Sequence, residues 1–254
     1  MIDIRDEQPL DVIKDDGGLT SIFRTIAVIG DSLASGDLES IGVPGEPMDY
    51  HDIFDISWPQ YLARMSGTTV YNFTRGNMTC REYNNSFADE KGFWDKAKAA
   101  DAYLIALGVN DLDEFHQELG SIDDIDPDWH RNRPTFAGDY AKIIRRYKEI
   151  SPGAVFFPVT MPVEPEPFVT PEWAENHAAH QKLMYDLADF FTNTYVIDLA
   201  KYGPPHDAEF HRLFYTGGHL NNAGYYLVAK MVGSYIDFIV RHCILGRGAA
   251  SGNK

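Results

Sequence analysis

Short apolar runs alternate with longer amphipathic stretches along this chain. The apolar runs predict strands at 25–30, 68–73, 102–107, 153–158 and 194–198. The amphipathic stretches predict helices at 58–66, 87–99, 137–150, 171–191 and 221–242. This order is typical of a parallel sheet that is covered by helices on both faces. We therefore predict an α/β fold, a three-layer α/β/α arrangement around a parallel sheet of about five strands.

The predicted elements fit one domain. The chain has 254 residues, and the predicted core extends from about residue 25 to residue 243. Residues 1–20 match no predicted element, and the small, polar residues 246–254 predict a disordered tail. Two long irregular stretches, 36–56 and 111–136, separate the elements. Because they follow predicted strands on the same edge of the sheet, we expect them to shape a pocket.

Composition narrows the class of protein. Hydrophobic residues make up 44% of the chain, and no apolar run is long enough to span a membrane. The first residues lack the basic start and apolar stretch of a signal peptide, and the two cysteines, Cys80 and Cys243, form no disulfide framework. We therefore expect a cytoplasmic protein. The formal charge of −16 predicts that it binds neither nucleic acid nor anionic membranes.

Part of this negative charge is concentrated in one stretch. Eight acidic residues lie between Asp111 and Asp128. The stretch is typical of a solvated loop, and it could also form a rim that disfavours anionic substrates. A calcium-binding loop is disfavoured because residues 123–128 lack the glycine and the terminal glutamate of an EF-hand.

Four short blocks carry candidate chemistry. The first predicted strand runs into Gly30-Asp31-Ser32-Leu33, which would place the Ser32 hydroxyl at the carboxyl edge of the sheet, with Asp31 holding the turn by a hydrogen bond. Gly76 and Asn110 each follow a predicted strand. His219 precedes the last predicted helix. A serine, a histidine and hydrogen-bond donors are the groups that acyl transfer requires.

In their order along the chain, these four blocks resemble the GDSL or SGNH hydrolases, a family named for the Ser, Gly, Asn and His that fall here on Ser32, Gly76, Asn110 and His219. The resemblance covers about residues 25–243. It implies a flavodoxin-like strand order and a serine esterase or acylhydrolase that works through an acyl-enzyme intermediate without a cofactor or a metal. The implied substrate is a small-molecule ester or an acylated carbohydrate.

The resemblance also implies a role for each residue. Ser32 would be the nucleophile and His219 the general base. The backbone N–H groups of Ser32 and Gly76 and the side-chain amide of Asn110 would form the oxyanion hole. The Asn72-to-Gly76 spacing is one residue shorter than the family pattern.

One position departs from the family. Its members carry an acid three residues before the histidine, where this chain has Thr216. His219 could work as a dyad with Ser32, its ring held by a backbone carbonyl or by the Thr216 hydroxyl. Alternatively, Asp207 or Glu209 could reach the ring. The missing acid also leaves open a non-catalytic ligand-binding domain that retains the hydrolase fold.

Other residues are candidates for a pocket or a metal site. Tyr50, His51, Phe54 and Trp129 lie in the irregular stretches and are predicted to bind substrate, although they could equally pack those loops. His177 and His180 have the i, i+3 spacing of metal ligands on a helix, which would suit a metal-dependent hydrolase. The polar face of that helix instead favours a solvated pair.

Overall fold

Eight strands and nine helices are found in the described part of a computed structural model of the chain, which comprises residues 6–40, 49–164 and 170–245. The predicted tail at 246–254 lies outside these residues. The strands are β1 (Thr25–Gly30), β2 (Asp37–Glu39), β3 (Tyr50–Asp52), β4 (Thr69–Thr74), β5 (Ala102–Ala106), β6 (Val155–Pro158), β7 (Tyr215–Thr216) and β8 (His219–Leu220). The helices are α1 (Ser32–Ser35), α2 (Trp58–Ser66), α3 (Cys80–Glu82), α4 (Ala88–Glu90), α5 (Phe136–Ile150), α6 (Pro171–Phe190), α7 (Leu199–Tyr202), α8 (Ala208–Phe214) and α9 (Asn222–Ile239).

The central sheet is parallel and has the order β4-β1-β5-β6. The prediction of about five strands is corrected to four in the described residues. The expected fifth strand, 194–198, lies beside β6 but forms only two isolated parallel bridges, Phe156 with Thr194 and Val159 with Ile197. With this segment as a fifth position, the order is that of a flavodoxin-like sheet.

Alternate residues of the strands point to opposite faces of the sheet, which creates two apolar cores. Ala27 and Ile29 of β1 belong to the core that is covered by α5 and α6. Ile26 and Val28 belong to the core that is covered by α2 and α9. These two cores confirm the three-layer α/β/α prediction, and they leave the carboxyl edge of the sheet for the loops that carry the candidate site.

Four of the five predicted helices are confirmed with small shifts at their ends, as α2, α5, α6 and α9. The prediction at 87–99 is wrong. The helical segment there begins earlier, where the Thr79 hydroxyl accepts a hydrogen bond from the Glu82 N–H, and it continues through a π-helical turn into α4. It ends before Gly92, whose φ of 62° is left-handed.

The N-terminal residues that match no predicted element lie against α9 and the turn after it. Glu7 accepts two hydrogen bonds from the Arg241 guanidinium, at 2.6 and 2.8 Å. The pKa of Glu7 is thereby lowered to about 2. Further along, the Leu19 N–H donates to Asp237 at 3.0 Å. This segment therefore covers the outer surface of the last helix. None of the helices in the described ranges combines the length and apolarity needed to cross a membrane.

Candidate active site

Ser32 is presented by a tight turn at the end of β1. Asp31 caps α1, because its carboxylate accepts a hydrogen bond from the Leu33 N–H at 3.0 Å, and this confirms the role predicted for Asp31. A Cβ on Gly30 would lie 2.6 Å from Cβ of Ala34, so only glycine allows the helix to begin so close to the strand. Ser32 is the first residue of α1, where a backbone N–H has no partner within its own helix.

Asp31 itself is fully enclosed. Only 3% of the residue is exposed, and burial raises the pKa of its carboxyl group to about 7. A group that is partly protonated near neutral pH is a weak candidate for a permanent negative charge. Its position as a helix cap keeps it from acting as the acid of a triad.

Three of the four predicted catalytic residues face one cavity of about 470 Å³: Ser32, Asn110 and His219. Asn110 follows β5 and begins a π-helical turn. One N–H of its amide donates to the Met78 carbonyl at 3.1 Å, which fixes the side chain and leaves a second N–H. The side chains predicted to act as nucleophile, base and neutral hydrogen-bond donor therefore lie around one cavity at the carboxyl edge of the sheet.

Gly76 lies elsewhere. It does not line the cavity that Ser32, Asn110 and His219 share. Its N–H donates to Oδ2 of Asp52 at 3.4 Å, and a Cβ placed on it would meet Oδ2 of Asp37 at 3.4 Å. The backbone donor that the family resemblance implies is thus directed at a carboxylate. The turn that follows places Asn77 at a left-handed φ of 58°.

His219 is held by Glu39, a residue that was not among the candidates predicted from the sequence. Nδ1 of His219 lies 2.8 Å from Oε1 of Glu39, and the same oxygen accepts the Gly218 N–H at 2.6 Å. The Glu39 side chain is only 3% exposed. A signal was available in Asp37-Leu38-Glu39, where two acids separated by one residue follow the Ser32 block and would share a face of a strand.

The two acids predicted from the sequence to orient His219, Asp207 and Glu209, bind other partners. Asp207 caps α8 by accepting the N–H groups of Glu209 and Phe210. Glu209 forms an ion pair with Arg212 at 2.6 Å. Thr216, at the position of the family acid, pairs with His219 across the two-residue ribbon of β7 and β8.

The four residues predicted to bind substrate are divided between two places. Tyr50 lies edge-on to the His219 ring, with centroids 5.7 Å apart, and His51 follows it in β3. Phe54 begins a 3-10 turn after that strand. Trp129 lies on the outer side of α5, where its Nε1 donates to Glu149 and Lys142 is 5.1 Å from its ring. Of these four, none lines the cavity that contains Ser32.

Of the two histidines of α6, His180 is buried and the His177 side chain is only 10% exposed, so the interpretation of a solvated pair is wrong. His180 is fully buried against the Leu107 carbonyl, and burial lowers its pKa to about 4. His177 lines the cavity, with Nδ1 3.0 Å from the Pro162 carbonyl and Nε2 2.8 Å from Asp113. Burial lowers the pKa of His177, but the Asp113 hydrogen bond and charge outweigh it, so the pKa is raised. Within the described ranges, no group of three His, Cys, Asp or Glu side chains could hold a metal.

The acidic stretch after Asn110 is only partly solvated. Asp111 is fully buried and accepts the Cys80 N–H at 2.8 Å. Asp124 is 5% exposed and accepts hydrogen bonds from Arg133 and Thr135. These carboxylates hold the loop together internally, which corrects the expectation of a loop whose charges all face water.

Comparison with known proteins identifies the family of the chain. A family model described as GDSL-like lipase/acylhydrolase matches residues 28–227. The chain belongs to this family. As a GDSL-type hydrolase, it acts on ester bonds. No curated protein matches the chain significantly.

Solved structures share the fold of this GDSL hydrolase. One crystal structure is 25% identical, with a TM-score of 0.65 over 88% of this chain and 98% of the other. A family two carbohydrate esterase from Clostridium thermocellum in complex with cellohexaose is 14% identical, with a TM-score of 0.59 over 91% of this chain and 65% of that one. Est24, a carbohydrate acetylesterase from Sinorhizobium meliloti, is 17% identical, with a TM-score of 0.53 over 84% and 98%.

Proposed function

We propose that this protein is a serine esterase that cleaves small-molecule carboxylic esters, among them acylated carbohydrates, through an acyl-enzyme on Ser32. The observation that carries the proposal is the single cavity into which Ser32, Asn110 and His219 converge. A nucleophile, a base and a neutral hydrogen-bond donor are the minimum that ester cleavage requires. We further propose that residues 1–254 form one domain, since the N-terminal segment packs on α9.

The first half of the reaction forms the acyl-enzyme. Nε2 of His219 accepts the proton of the Ser32 hydroxyl while Oγ attacks the ester carbonyl carbon. The carbonyl oxygen becomes negative, and the second Asn110 N–H and the Ser32 backbone N–H stabilise it. The tetrahedral intermediate then expels the alcohol, which takes the proton from His219. In the second half, water repeats these steps and releases the acid.

The neutral character of the Asn110 donor suits this role. An amide N–H strengthens its hydrogen bond as charge develops on the carbonyl oxygen, and it does not lower the basicity of His219 as a cation would. Its bond to the Met78 carbonyl positions it before substrate arrives, so no reorganisation is required in the transition state.

A fluorophosphonate probe tests the proposal. The wild-type protein should be labelled at Ser32, as located by peptide mass spectrometry, and should release p-nitrophenol from p-nitrophenyl acetate. Ser32→Ala should lose the label and at least about 10⁴-fold in turnover. Ser86→Ala is the matched control, because the Ser86 hydroxyl only donates to the Glu82 carbonyl. An unlabelled wild-type protein with background turnover would instead indicate a ligand-binding domain.

A further inference from the structure

We propose that Glu39 positions His219 for catalysis and takes the place of the acid that the family carries three residues before the histidine. The proposal rests on the proposed function, because it gives Glu39 a role in the Ser32 and His219 reaction. The family position is occupied by Thr216, whose hydroxyl carries no charge. Glu39 instead comes from the segment that follows the nucleophile.

The geometry of the contact fixes the ring. A carboxylate only accepts hydrogen bonds, so the 2.8 Å contact requires Nδ1 of His219 to be the donor. The neutral ring therefore carries its proton on Nδ1, which leaves the lone pair on Nε2 for the Ser32 proton. When Nε2 gains that proton, the imidazolium lies against a carboxylate whose side chain is only 3% exposed. At such burial the attraction is weakly screened.

The backbone is shaped for this contact. Oε1 of Glu39 is fixed a second time by the Gly218 N–H at 2.6 Å, so the acid is bound to the same loop that carries the histidine. A Cβ on Gly218 would lie 3.1 Å from Oε1, closer than a side chain comfortably allows. The glycine before His219 therefore admits the carboxylate.

The chain reaches this position by a short route. Gly36 ends α1 with a left-handed φ of 84°, and β2 then places Asp37 and Glu39 on one face, toward His219. The β2 strand is supported by its antiparallel partner β3. Ser32 and Glu39 thus lie seven positions apart in one continuous segment, so no distant loop has to fold back.

Other charged groups face the same ring. Oδ2 of Asp37 lies 3.8 Å from Nε2, which is too long for a hydrogen bond, and burial raises the pKa of Asp37. Asp31 lies close enough to His219 for a charge interaction when it is ionised, Asp52 interacts in the same way with Asp37, and Tyr50 contacts the ring edge. Of these groups, only Glu39 hydrogen-bonds to the imidazole.

Glu39→Gln tests the proposal, because it keeps the size of the side chain and an oxygen acceptor but removes the charge. We expect kcat to fall by about 10³–10⁴-fold with KM within a few fold, on the scale of triad acids changed to amides. The acidic limb of the kcat/KM profile should also move to lower pH, because the imidazolium has lost its counter-charge. A purely structural role would not move that limb. Asp207→Asn and Glu209→Gln are the matched controls and should remain within a few fold of wild type.

A second measurement keeps the proposal falsifiable if Glu39→Gln does not fold. The ¹⁵N chemical shifts of His219 in the wild-type protein should show the Nδ1–H tautomer at neutral pH. An Nε2–H tautomer, or a folded Glu39→Gln variant with wild-type kcat and an unmoved acidic limb, would overturn the role of Glu39. Failure of the proposed function gives a different result, namely a wild-type protein that is neither labelled nor active.

A second, mainly apolar cavity supports a separate inference about the substrate. This apolar cavity of about 80 Å³ adjoins the catalytic cavity on the side of α9. The two share Leu33, Val109, Pro162 and Tyr215 as wall residues. Leu33 directly follows the nucleophile, and Val109 directly precedes Asn110. The shared wall therefore borders the place where the acyl carbonyl would lie.

We infer that this apolar cavity receives the acyl chain of the substrate and limits it to a short one. The inference also rests on the proposed function. Apolar side chains such as Val159, Val228 and Met231 line the cavity, and they would exclude a sugar or another polar alcohol. An apolar cavity of about 150 Å³ can hold a benzene ring, so a volume of about 80 Å³ holds about three carbon groups. Acyl groups up to about butanoyl would fit.

A series of p-nitrophenyl esters from acetate to octanoate tests this limit. Each methylene that enters the cavity should raise kcat/KM about fourfold, since its burial contributes about 0.8 kcal/mol, and the rise should end near butanoate. Met231→Ala should shift the optimum to longer chains. Met184→Ala, a buried methionine of the opposite core, is the matched control and should leave the optimum unchanged.

The outcomes of the series separate the two proposals. An optimum that is identical in Met231→Ala and the wild type, or a steady rise to octanoate, would overturn the acyl cavity while the esterase assignment stands. Absence of turnover and of Ser32 labelling with every ester would overturn the esterase assignment itself.

Discussion

Oε1 of Glu39 lies 2.8 Å from Nδ1 of His219, although 180 residues separate them along the chain. The contact joins the segment after Ser32 to the loop before the last helix. It gives the histidine a buried carboxylate on the nitrogen opposite the one that would face Ser32. A chain that lacks the family acid at its usual position thus retains an acid at the site.

The oxyanion hole should depend on Asn110 and only weakly on residue 76. Asn110→Ala should lower kcat by about 10²–10³-fold with KM within a few fold, because its amide acts mainly in the transition state. Gly76→Ala should remain within about threefold, because its N–H is directed at Asp52 and the added Cβ makes only van der Waals contacts of 3.4 Å or more. Steady-state kinetics on p-nitrophenyl acetate measures both. A large loss in Gly76→Ala would show that substrate approaches that backbone.

Gly108 should be required for stability. Its φ is 145°, and a Cβ on it would lie 2.8 Å from Nε2 of His180. Gly108→Ala should therefore lower the free energy of unfolding by about 1–3 kcal/mol, as measured by urea titration. Gly153→Ala is the control, since a Cβ there has no neighbour within 4 Å. Equal stabilities of the two variants would contradict the close approach of α6 to residue 108.

The buried carboxyl group of Asp111 should make stability depend on pH. Burial raises its pKa from 3.8 to about 7. Between those values the folded state keeps a proton that the unfolded state has lost, so this group makes stability fall as pH rises, by up to about 1.4 kcal/mol per unit. His180 and His206, with pKa values lowered to about 4, act in the opposite direction as pH rises from about 4 to 6.5.

Comparison with Asp111→Asn isolates the effect of Asp111, because the histidines contribute equally to both proteins. The asparagine oxygen can still accept the Cys80 N–H, but it does not titrate. The variant should therefore gain stability relative to wild type as pH rises from 4 to 7, as measured by urea titration at each pH. A constant difference between Asp111→Asn and wild type across this range would contradict the raised pKa.

Tyr50 and Trp129 are both predicted from the sequence to bind substrate, but their substitutions should have different effects on the kinetics. Tyr50→Ala should lower kcat/KM several-fold, since its ring lies against the edge of His219. Trp129→Ala should leave kcat/KM within about twofold, because its partners are Glu149, Lys142 and Arg146 on α5. Parallel melting curves separate kinetic from stability effects. An equal loss of kcat/KM in both variants at unchanged melting temperature would place Trp129 at the substrate.

Local sequence patterns predicted the fold class and the turn that presents Ser32. Helices and strands require different spacings of apolar residues, and these spacings are visible in the sequence. They predicted four of the strands to within two residues at either end. The Gly30-Asp31-Ser32 turn is also a local feature, set by a glycine and a helix cap. Because parallel strands end on one edge, the sequence also placed Asn110 near Ser32.

Three features could not be predicted from local pattern: which acid meets His219, where Gly76 directs its N–H, and the position of Trp129 away from the cavity that contains Ser32. Each depends on the path of a long connection, and residue types alone do not fix that path. Glu39 belongs to a three-residue strand whose partner strand begins eleven residues later in sequence, so its register is a property of the pair. His180 shows the same point, since a helix face with polar residues is buried against the Leu107 carbonyl, just after β5. Long-range packing determined these contacts, whereas the strands of the central sheet, most of the predicted helices and the turn at Ser32 follow from local sequence pattern.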